Sequence, residues 1–354
     1  MQDEAFFYVA LCQSAADMNL TLQKGDSLEA IYYQNKAIGL LNRRLGDPTS
    51  RVSDATIGTI AALACYEVSN GSLEVADAHV DALQQLIQLR GGLTDSSIST
   101  KLRRLVLWAD LTVASLRARA PQFPGDVDIS FQTSSIASSD HPIEKTSAME
   151  AHALTSNEHS TDIIPVLLSE LRHLAAVQGS NKFFTAKERN LISSGDKLYI
   201  IQRQLIGIAG VTSSKSPGTV ESCCAIAALI YISTCLCQTS FESRVVENHV
   251  DRLRRCVEVI AEEIGFAVLT TNEKLSRRAM WAVIIGGIVS NGESHKYFVE
   301  TLATICNLSC LYPHSGLNGL LEDVLWNASL DAWSQPLWQE LARLSRSTLI
   351  SGER

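Results

Sequence analysis

The sequence predicts an all-α fold, a multi-helix globular array in which two helical halves are joined by a flexible Ser/Thr-rich insertion. Apolar residues recur at spacings of three and four along most of the 354 residues, and the alternation typical of strands never persists. Residues that begin or end helices bound these periodic segments. The periodicity weakens between Ser130 and Thr161, where twelve residues are Ser or Thr.

Helices of the first half are predicted from their start and stop signals. The first begins with a capping oxygen and an early acid in Asp26-Ser27-Leu28-Glu29 and ends before Gly46-Asp47-Pro48. Asn70-Gly71 closes the second, and Gly91-Gly92 stops the third because Gly accepts the left-handed cap conformation. The predicted spans are Asp26 to about Leu45, Ser53–Val68, Glu74–Leu89 and Ser99–Leu116.

Helical periodicity resumes near Ile163, and no fixed-length repeat indicates a regular solenoid. We therefore expect an N-terminal half at residues 1–124, a linker or insertion at 125–162 and a C-terminal half at 163–354. The insertion should be flexible and protease-sensitive, because it cannot bury enough apolar surface to offset the entropy of ordering. The predicted helices of the second half are Ile164–Ala176, Asp196–Ile208, Thr219–Gln238, Val245–Val268, Glu273–Ser290, Lys296–Cys306, Leu317–Trp326 and Leu337–Leu344.

Composition narrows the function classes. Lys+Arg 30 against Asp+Glu 38 give a net charge of -8, which argues against unaided DNA binding. The longest apolar runs, Ala225–Leu236 and Ala279–Val289, are shorter than the roughly 20 residues that span a bilayer, so no membrane segment is predicted. The first residues carry acids where a secretory signal would carry positive charge. We expect an intracellular protein with reduced, buried cysteines.

Searches for catalytic, cofactor-binding and metal-ligating residues find none. Cys224 and Cys235 lie in one apolar helix about 16 Å apart, too far to share a zinc ion. The segment Gly210–Ser216 imitates a phosphate loop but lacks its second glycine and follows a helix rather than a strand. The histidines of the insertion are interpreted as solvated, and no Asp-rich cluster suited to magnesium occurs. No enzyme and no cofactor are predicted.

Basic residues cluster on predicted helices beside acids, a pattern typical of solvated helix faces rather than a DNA-reading patch. In the helix Ser99–Leu116 the apolar face leaves Arg103 and Arg104 facing water. The clusters are Arg43-Arg44, Lys101-Arg103-Arg104, Arg252-Arg254-Arg255 and Arg277-Arg278.

A set of motifs, taken in order, resembles a known family. The segment His79–Leu93, which ends in Arg90-Gly91-Gly92-Leu93, resembles the hallmark helix and Arg-Gly-Gly turn of the fungal-specific transcription factor domain. Leu107-Trp108-Ala109-Asp110 and Pro121-Gln122-Phe123-Pro124 follow in the order and spacing of that family. The later helices of the family are matched by Tyr199–Leu205, Ser222–Tyr231, Met280–Ile288, Leu325-Trp326 and Leu337–Glu340. The motif positions are His79, Arg90, Gly91, Gly92, Trp108, Asp110, Pro121, Phe123 and Pro124.

The resemblance implies a fungal transcription regulator, as an effector and dimerisation domain that controls a metabolic or secondary-metabolite gene set. It implies a nuclear location, with the cytoplasm as the alternative, and a protein partner, either a second copy or a zinc-cluster transcription factor. Direct DNA binding and specific zinc binding are not expected, and an effector ligand stays unknown.

One departure and two rivals accompany this assignment. The six-cysteine zinc module of the family does not occur in residues 1–354. A shortened regulator, a gene model without its first exon and a protein that never had the module all remain open. An all-helical small-molecule-binding protein or enzyme with an apolar pocket is the alternative function, and a purely structural interaction protein is a third.

Physical roles can be assigned to the motif positions without the family. Gly91-Gly92 terminates a helix, and Arg90 is expected to bond the last carbonyls of that helix. His79 sits on or beside the apolar face and should pack rather than bind a ligand. Asp110 lies in an apolar helix and needs a partner, for which we expect an arginine, because an unpaired buried carboxylate is costly. The motif set is therefore interpreted as specifying a fold rather than a site.

Overall fold

The computed structural model describes residues 3–21, 28–70, 72–124, 163–179, 187–210, 219–269, 272–308 and 324–351. Every regular element within these ranges is helical, which confirms the all-α prediction. The insertion at 125–162 lies outside the described residues, so its predicted flexibility stays a prediction. The helices of the first half are α1 Glu4–Thr21, α2 Leu28–Leu45, α3 Asp54–Asn70, α4 Leu73–Leu89 and α5 Thr100–Arg117.

The described residues after 162, called the second half only for their place in the sequence, are helical as well, and their buried residues belong to the same core cluster as those of the first half. Helix Ile163–Gly179 packs on helix Lys187–Gly210, and helix Val220–Tyr231 packs on both of them. The helices are α6 Ile163–Gly179, α7 Lys187–Gly210, α8 Val220–Tyr231 with a π-helical turn Ile232–Leu236, α9 Arg244–Glu263, α10 Phe266–Leu269, α11 Glu273–Val289, α12 Gly292–Leu308 and α13 Ala328–Ser351.

Helix α1 was not predicted, because apolar residues also occur outside its buried stripe and its sequence shows no one-sided apolar pattern. Its buried residues, spaced by four, three and four, form one apolar stripe against α2 and α3: Ala5, Val9, Cys12 and Ala16. Asp3 begins the helix by accepting the Phe6 amide at 2.9 Å. The same carboxylate pairs with both terminal nitrogens of Arg44 at 3.0 and 2.6 Å, which ties α1 to the end of α2. Arg44 is therefore a structural residue rather than a solvated one.

Several predicted boundaries in the second half are wrong, and the helices predicted to begin at Asp196 and Leu337 each begin nine residues earlier, at Lys187 and Ala328. The helix expected over Thr219–Gln238 gives way to a π-helical turn after Tyr231. The helix expected over Val245–Val268 is interrupted at Gly265, whose φ of 77° suits glycine and whose amide bonds the Ile260 carbonyl. The helix expected over Leu317–Trp326 is absent from its last residues, 324–326, and the rest lies outside the described residues.

Helices α8 and α11 form the centre of the second half. In α8 every residue except Glu221 is buried, and α11 is buried from Ala279 to Val289. Because both helices are buried on all sides over these stretches, the apolar runs that begin at Ala225 and Ala279 have no polar face. The two helices pack against each other, and a Cβ added at Gly286 of α11 would lie 2.7 Å from the ring of Phe298. Within the described residues no helix is both long and apolar enough to cross a membrane.

Polar contacts join the two halves. Arg104 on α5 makes a paired contact with the buried Asp196 on α7, at 3.0 and 2.9 Å. Burial raises the pKa of Asp196, and Arg104 opposes that rise. Arg252 on α9 donates to the Ser115 carbonyl at 2.6 Å. The expectation that Arg103 and Arg104 face water is therefore wrong. Arg103 donates to the Leu93 carbonyl at 2.8 Å, and the partner of Arg104 is 92 residues away in sequence, so only the fold brings the two together.

His249 on α9 lies at this junction and is 2% exposed. Its Nδ1 is 2.7 Å from the Val245 carbonyl, so Nδ1 carries the proton. Its Nε2 is 2.9 Å from the Ser115 hydroxyl and accepts from it. Burial, assisted by the nearby Arg252, lowers the pKa of His249 to about 4. The neutral ring therefore links α9 to α5.

This pKa makes folding stability depend on acidity. The unfolded chain takes up a proton at His249 near its ordinary pKa of 6.5, and the folded chain does so only near 4. Above about pH 6.5 the neutral His249 costs the folded state no stability. Between pH 6.5 and pH 4 the free energy of unfolding falls, by at most about 3 kcal/mol. We expect urea denaturation of the wild type to show this loss and that of His249→Gln to lack most of it. Equal acid sensitivity of the two proteins would contradict the assignment.

Candidate functional site

The motif positions concentrate on the hairpin formed by α4 and α5. The two helices run antiparallel, because Arg103 at the start of α5 bonds the Leu93 carbonyl after α4, whereas Arg117 at its end reaches Glu74 at the start of α4. The Arg-Gly-Gly turn lies at one end of the hairpin. The segment Pro121–Pro124, which follows α5, lies at the opposite end of the hairpin.

The turn after α4 is a Schellman motif. The Gly92 amide bonds the Ile87 carbonyl at 2.9 Å, and the Gly91 amide bonds the Gln88 carbonyl at 3.0 Å. Both glycines have positive φ, 98° and 97°, which confirms the predicted left-handed cap. A side chain at Gly91 would also meet the Asp95 carboxylate at 3.1 Å. These glycines are required by backbone geometry.

The Arg90 guanidinium does not bond the carbonyls of its own helix, contrary to the prediction; only the Arg90 backbone amide does, at 3.1 Å from the Leu86 carbonyl. Backbone amides already satisfy that helix end, so the guanidinium turns away from it. It pairs with Asp54 at the start of α3, and it donates to the Ser97 carbonyl at 2.7 Å and the Val52 carbonyl at 3.3 Å. Arg90 therefore fastens the α4–α5 loop to the segment that begins α3.

We expect Arg90→Ala to destabilise the fold by about 1 to 3 kcal/mol, because the Ser97 and Val52 carbonyls and Asp54 lose a charged donor together. Arg90→Lys should recover less than half of that loss, since one ammonium cannot reach partners on both sides of the loop. Chemical denaturation of the three proteins measures the difference. A loss below about 0.5 kcal/mol in the alanine variant would contradict this role.

Asp110 organises the second motif cluster. Its side chain is fully buried, and its two oxygens accept the backbone amides of Gln122 at 2.9 Å and Phe123 at 2.8 Å. The predicted arginine partner was wrong: Arg119 and Arg203 are near enough to lower the pKa of Asp110, but the hydrogen bonds come from backbone. Burial is the larger influence and raises that pKa.

The segment after α5 explains why Asp110 is needed. Phe123 is buried, whereas Pro121 is half-buried and Pro124 exposed, so the chain enters the core between two prolines that supply no amide proton. Amides in such a non-helical segment need an acceptor other than a helical carbonyl, and Asp110 provides it. Trp108, two residues before Asp110 on α5, is half-buried and takes no part in the hydrogen bonds that Asp110 accepts from Gln122 and Phe123.

An acidic row on α4 holds the end of α5 in place. Asp77 accepts Arg117 at 2.6 Å and Arg119 at 3.1 Å, and Asp81 accepts the Gln122 amide group at 2.8 Å. These contacts were not predicted, because they join residues about forty positions apart. The polar side chains at this end of the hairpin therefore find their ion-pair and hydrogen-bond partners within the chain.

His79 lies on another face of α4, beside a groove between α2 and α4 with α3 as its floor. The groove has a volume of about 540 Å³ and is mainly apolar, with walls that include Ile38, Leu41 and Val75. Burial lowers the pKa of His79, so the ring is neutral. Among the described residues the ring has no hydrogen-bond partner, and it lines the groove half-buried instead of packing fully into the core.

Glu67 on α3 closes the floor of this groove. It is buried and accepts the Gln34 amide group at 2.6 Å. Burial raises its pKa. Sequence reasoning missed Glu67 because a single acid in an apolar helix gives no periodic signal. His79 and Glu67 are two of the polar residues that line the groove, and Gln34, Asn42 and Ser72 are the others.

The described residues contain no group of three His, Cys, Asp or Glu side chains arranged to hold a metal ion. Of the motif positions, the fold brings together Arg90, Gly91 and Gly92 at one end of the hairpin, and Asp110, Pro121 and Phe123 at the other. His79 stands apart from both.

A family model described as the fungal specific transcription factor domain matches residues 1–346. Comparisons with curated proteins and with solved structures find no match.

Proposed function

The chain belongs to the fungal-specific transcription factor domain family, and on that premise we propose that it is the effector and dimerisation domain of a fungal transcription regulator. The match across residues 1–346 is the observation that carries this proposal. The family implies a regulator rather than an enzyme, and a nuclear place of action. We further propose that the genes it controls serve metabolism or secondary metabolism.

The ion pairs that the basic residues make within this chain support the proposal that a different protein module contacts DNA. Arginines of the predicted basic clusters engage acids of this chain, as in the pairs Arg44–Asp3, Arg104–Asp196 and Arg277–Glu273. A surface that grips phosphates needs such groups directed outward, and the net charge is -8. The partner proposed is a second copy of this chain or a zinc-cluster transcription factor.

A reporter assay tests the proposal. The full chain is fused to an unrelated DNA-binding domain in a yeast with the cognate reporter, and the fusion should raise or lower transcription several-fold relative to the DNA-binding domain alone. Trp281→Ala, which is expected to weaken the fold, should remove the effect, and the surface change Asp81→Ala should keep it. Unaltered transcription from an abundant, folded fusion would contradict an effector role.

Dimerisation is tested separately by light scattering on the purified chain. A mass of twice 38.6 kDa supports a homodimer. A monomer that forms a stoichiometric complex when mixed with a purified zinc-cluster transcription factor supports the second partner. A monomer that binds neither contradicts the proposed dimerisation.

The groove beside His79 supports the alternative, a small-molecule-binding protein. Its volume of about 540 Å³ falls within the range of ligand pockets, and its walls combine apolar side chains with polar ones that could orient a ligand. Ala82 lines the groove, so Ala82→Trp would fill it. Loss of the reporter response with an unchanged unfolding temperature would favour a ligand in the groove, and an unchanged response would exclude this use.

A further inference from the structure

Two thiols from different helices meet in the core of the second half. The sulfur of Cys223 on α8 lies 3.0 Å from that of Cys256 on α9, and the two residues are only 1% and 6% exposed. The neighbouring Cys224 points elsewhere, toward the Arg278 carbonyl at 3.6 Å. The fold therefore pairs two of the buried cysteines selectively.

The surroundings make the two thiols unequal. Cys223 donates its proton toward Cys256, and this hydrogen bond lowers the pKa of Cys256 against the opposing effect of burial, with a smaller contribution from the charge of Arg252 one turn earlier on α9. Burial, followed by the hydrogen bond to Cys256, raises the pKa of Cys223. Cys256 is thus the better nucleophile, and Cys223 is placed to react with it.

We propose that Cys223 and Cys256 form an oxidisable dithiol, which a hydroperoxide converts into a disulfide that fastens α8 to α9. The Cys256 thiolate attacks the terminal peroxide oxygen, the O–O bond breaks, and a sulfenic acid and an alcohol, or water from hydrogen peroxide, are formed. The Cys223 sulfur then attacks the sulfenic sulfur and displaces water. Two thiols and one hydroperoxide give one disulfide, one water and one alcohol or second water.

The geometry is suited to this bond. A disulfide requires the sulfurs to approach to about 2.05 Å, roughly 1 Å closer than they lie. Cys256 also lies 3.8 Å from the Thr219 carbonyl, immediately before α8, so the approach occurs at a helix end. Helix α9 carries His249 and Arg252 to Ser115 of the first half. The disulfide would therefore fix the helix that joins the two halves.

Mass spectrometry of the purified full chain tests the proposal. The protein is exposed to hydrogen peroxide, its remaining thiols are blocked with N-ethylmaleimide, and it is digested with trypsin without reduction. We expect a linked pair of peptides, residues 216–244 and 256–274, that dithiothreitol separates. We also expect the oxidised protein to unfold about 2 to 5 °C higher than the reduced one.

Single variants assign the bond. Peptide 216–244 holds further cysteines, so Cys224→Ala should keep the link, and Cys223→Ala and Cys256→Ala should each remove it. Cys237, which is exposed, reports that the oxidant has reacted. If Cys237 is modified while Cys256 stays free, or if Cys256 is linked to a cysteine other than Cys223, the proposal is overturned.

Discussion

Trp281→Ala is expected to lower the free energy of unfolding by about 3 to 5 kcal/mol, the largest effect of any substitution considered for this chain. The Trp281 side chain is 0% exposed in the centre of α11, so its removal leaves a cavity that neighbouring helices cannot close. Its ring nitrogen also donates to the buried Leu325 carbonyl at 2.9 Å, and that acceptor would lose its partner. Urea denaturation followed by circular dichroism measures the loss.

Two further variants separate packing from hydrogen bonding. Trp281→Phe keeps most of the ring volume and should cost about 1 to 2 kcal/mol, mainly through the orphaned carbonyl. Trp326→Ala removes a half-buried tryptophan whose ring nitrogen bonds the exposed carboxylate of Asp331, and it should cost less than Trp281→Ala. If Trp281→Ala and Trp326→Ala were equally destabilising, the central position of α11 in the core would be contradicted.

Asp110→Ala is expected to destabilise the protein by about 2 to 5 kcal/mol, because the amides of Gln122 and Phe123 lose their acceptor together. Burial makes the charged carboxylate costly in its own right, so part of the loss is offset when the charge is removed. The change should also free the segment after α5, and hydrogen exchange at these two amides should accelerate. Exchange and urea denaturation together measure both effects.

Asp81→Ala is the matched control for Asp110. Asp81 also accepts a hydrogen bond from Gln122, but from the side-chain amide of Gln122 and not from its backbone amide, and this contact is exposed. Such a contact contributes less than about 1 kcal/mol. Similar losses from the two variants would show that the buried amide bonds do not hold this segment.

At the hairpin of α4 and α5, the sequence predicts the helix cap correctly and the side-chain partners wrongly. The cap at Gly91 was predicted because left-handed helix ends favour glycine whatever the surroundings, and the structure has it. The partners of Arg90 and Asp110 were predicted wrongly. A charged side chain reveals in sequence that it needs a partner, but several partners satisfy the same need, and the choice follows from which groups the fold brings within reach.

The groove beside His79 could not be read from the sequence either. Its walls come from α2 and α4, and whether those helices touch or leave a gap depends on how each packs on α3. A histidine at the margin of an apolar face has the same pattern in both cases.

The sequence by itself determined the helical class, most helix positions in the first half and the family, because helical periodicity, caps and short motifs are local properties of neighbouring residues. Tertiary structure alone decided the polar contacts between the halves and the meeting of Cys223 with Cys256. Arg104 and Asp196 are 92 residues apart, and the two cysteines are 33 apart. Contacts over such separations depend on the relative placement of whole helices, which is set by the summed packing of many apolar side chains and leaves no local pattern.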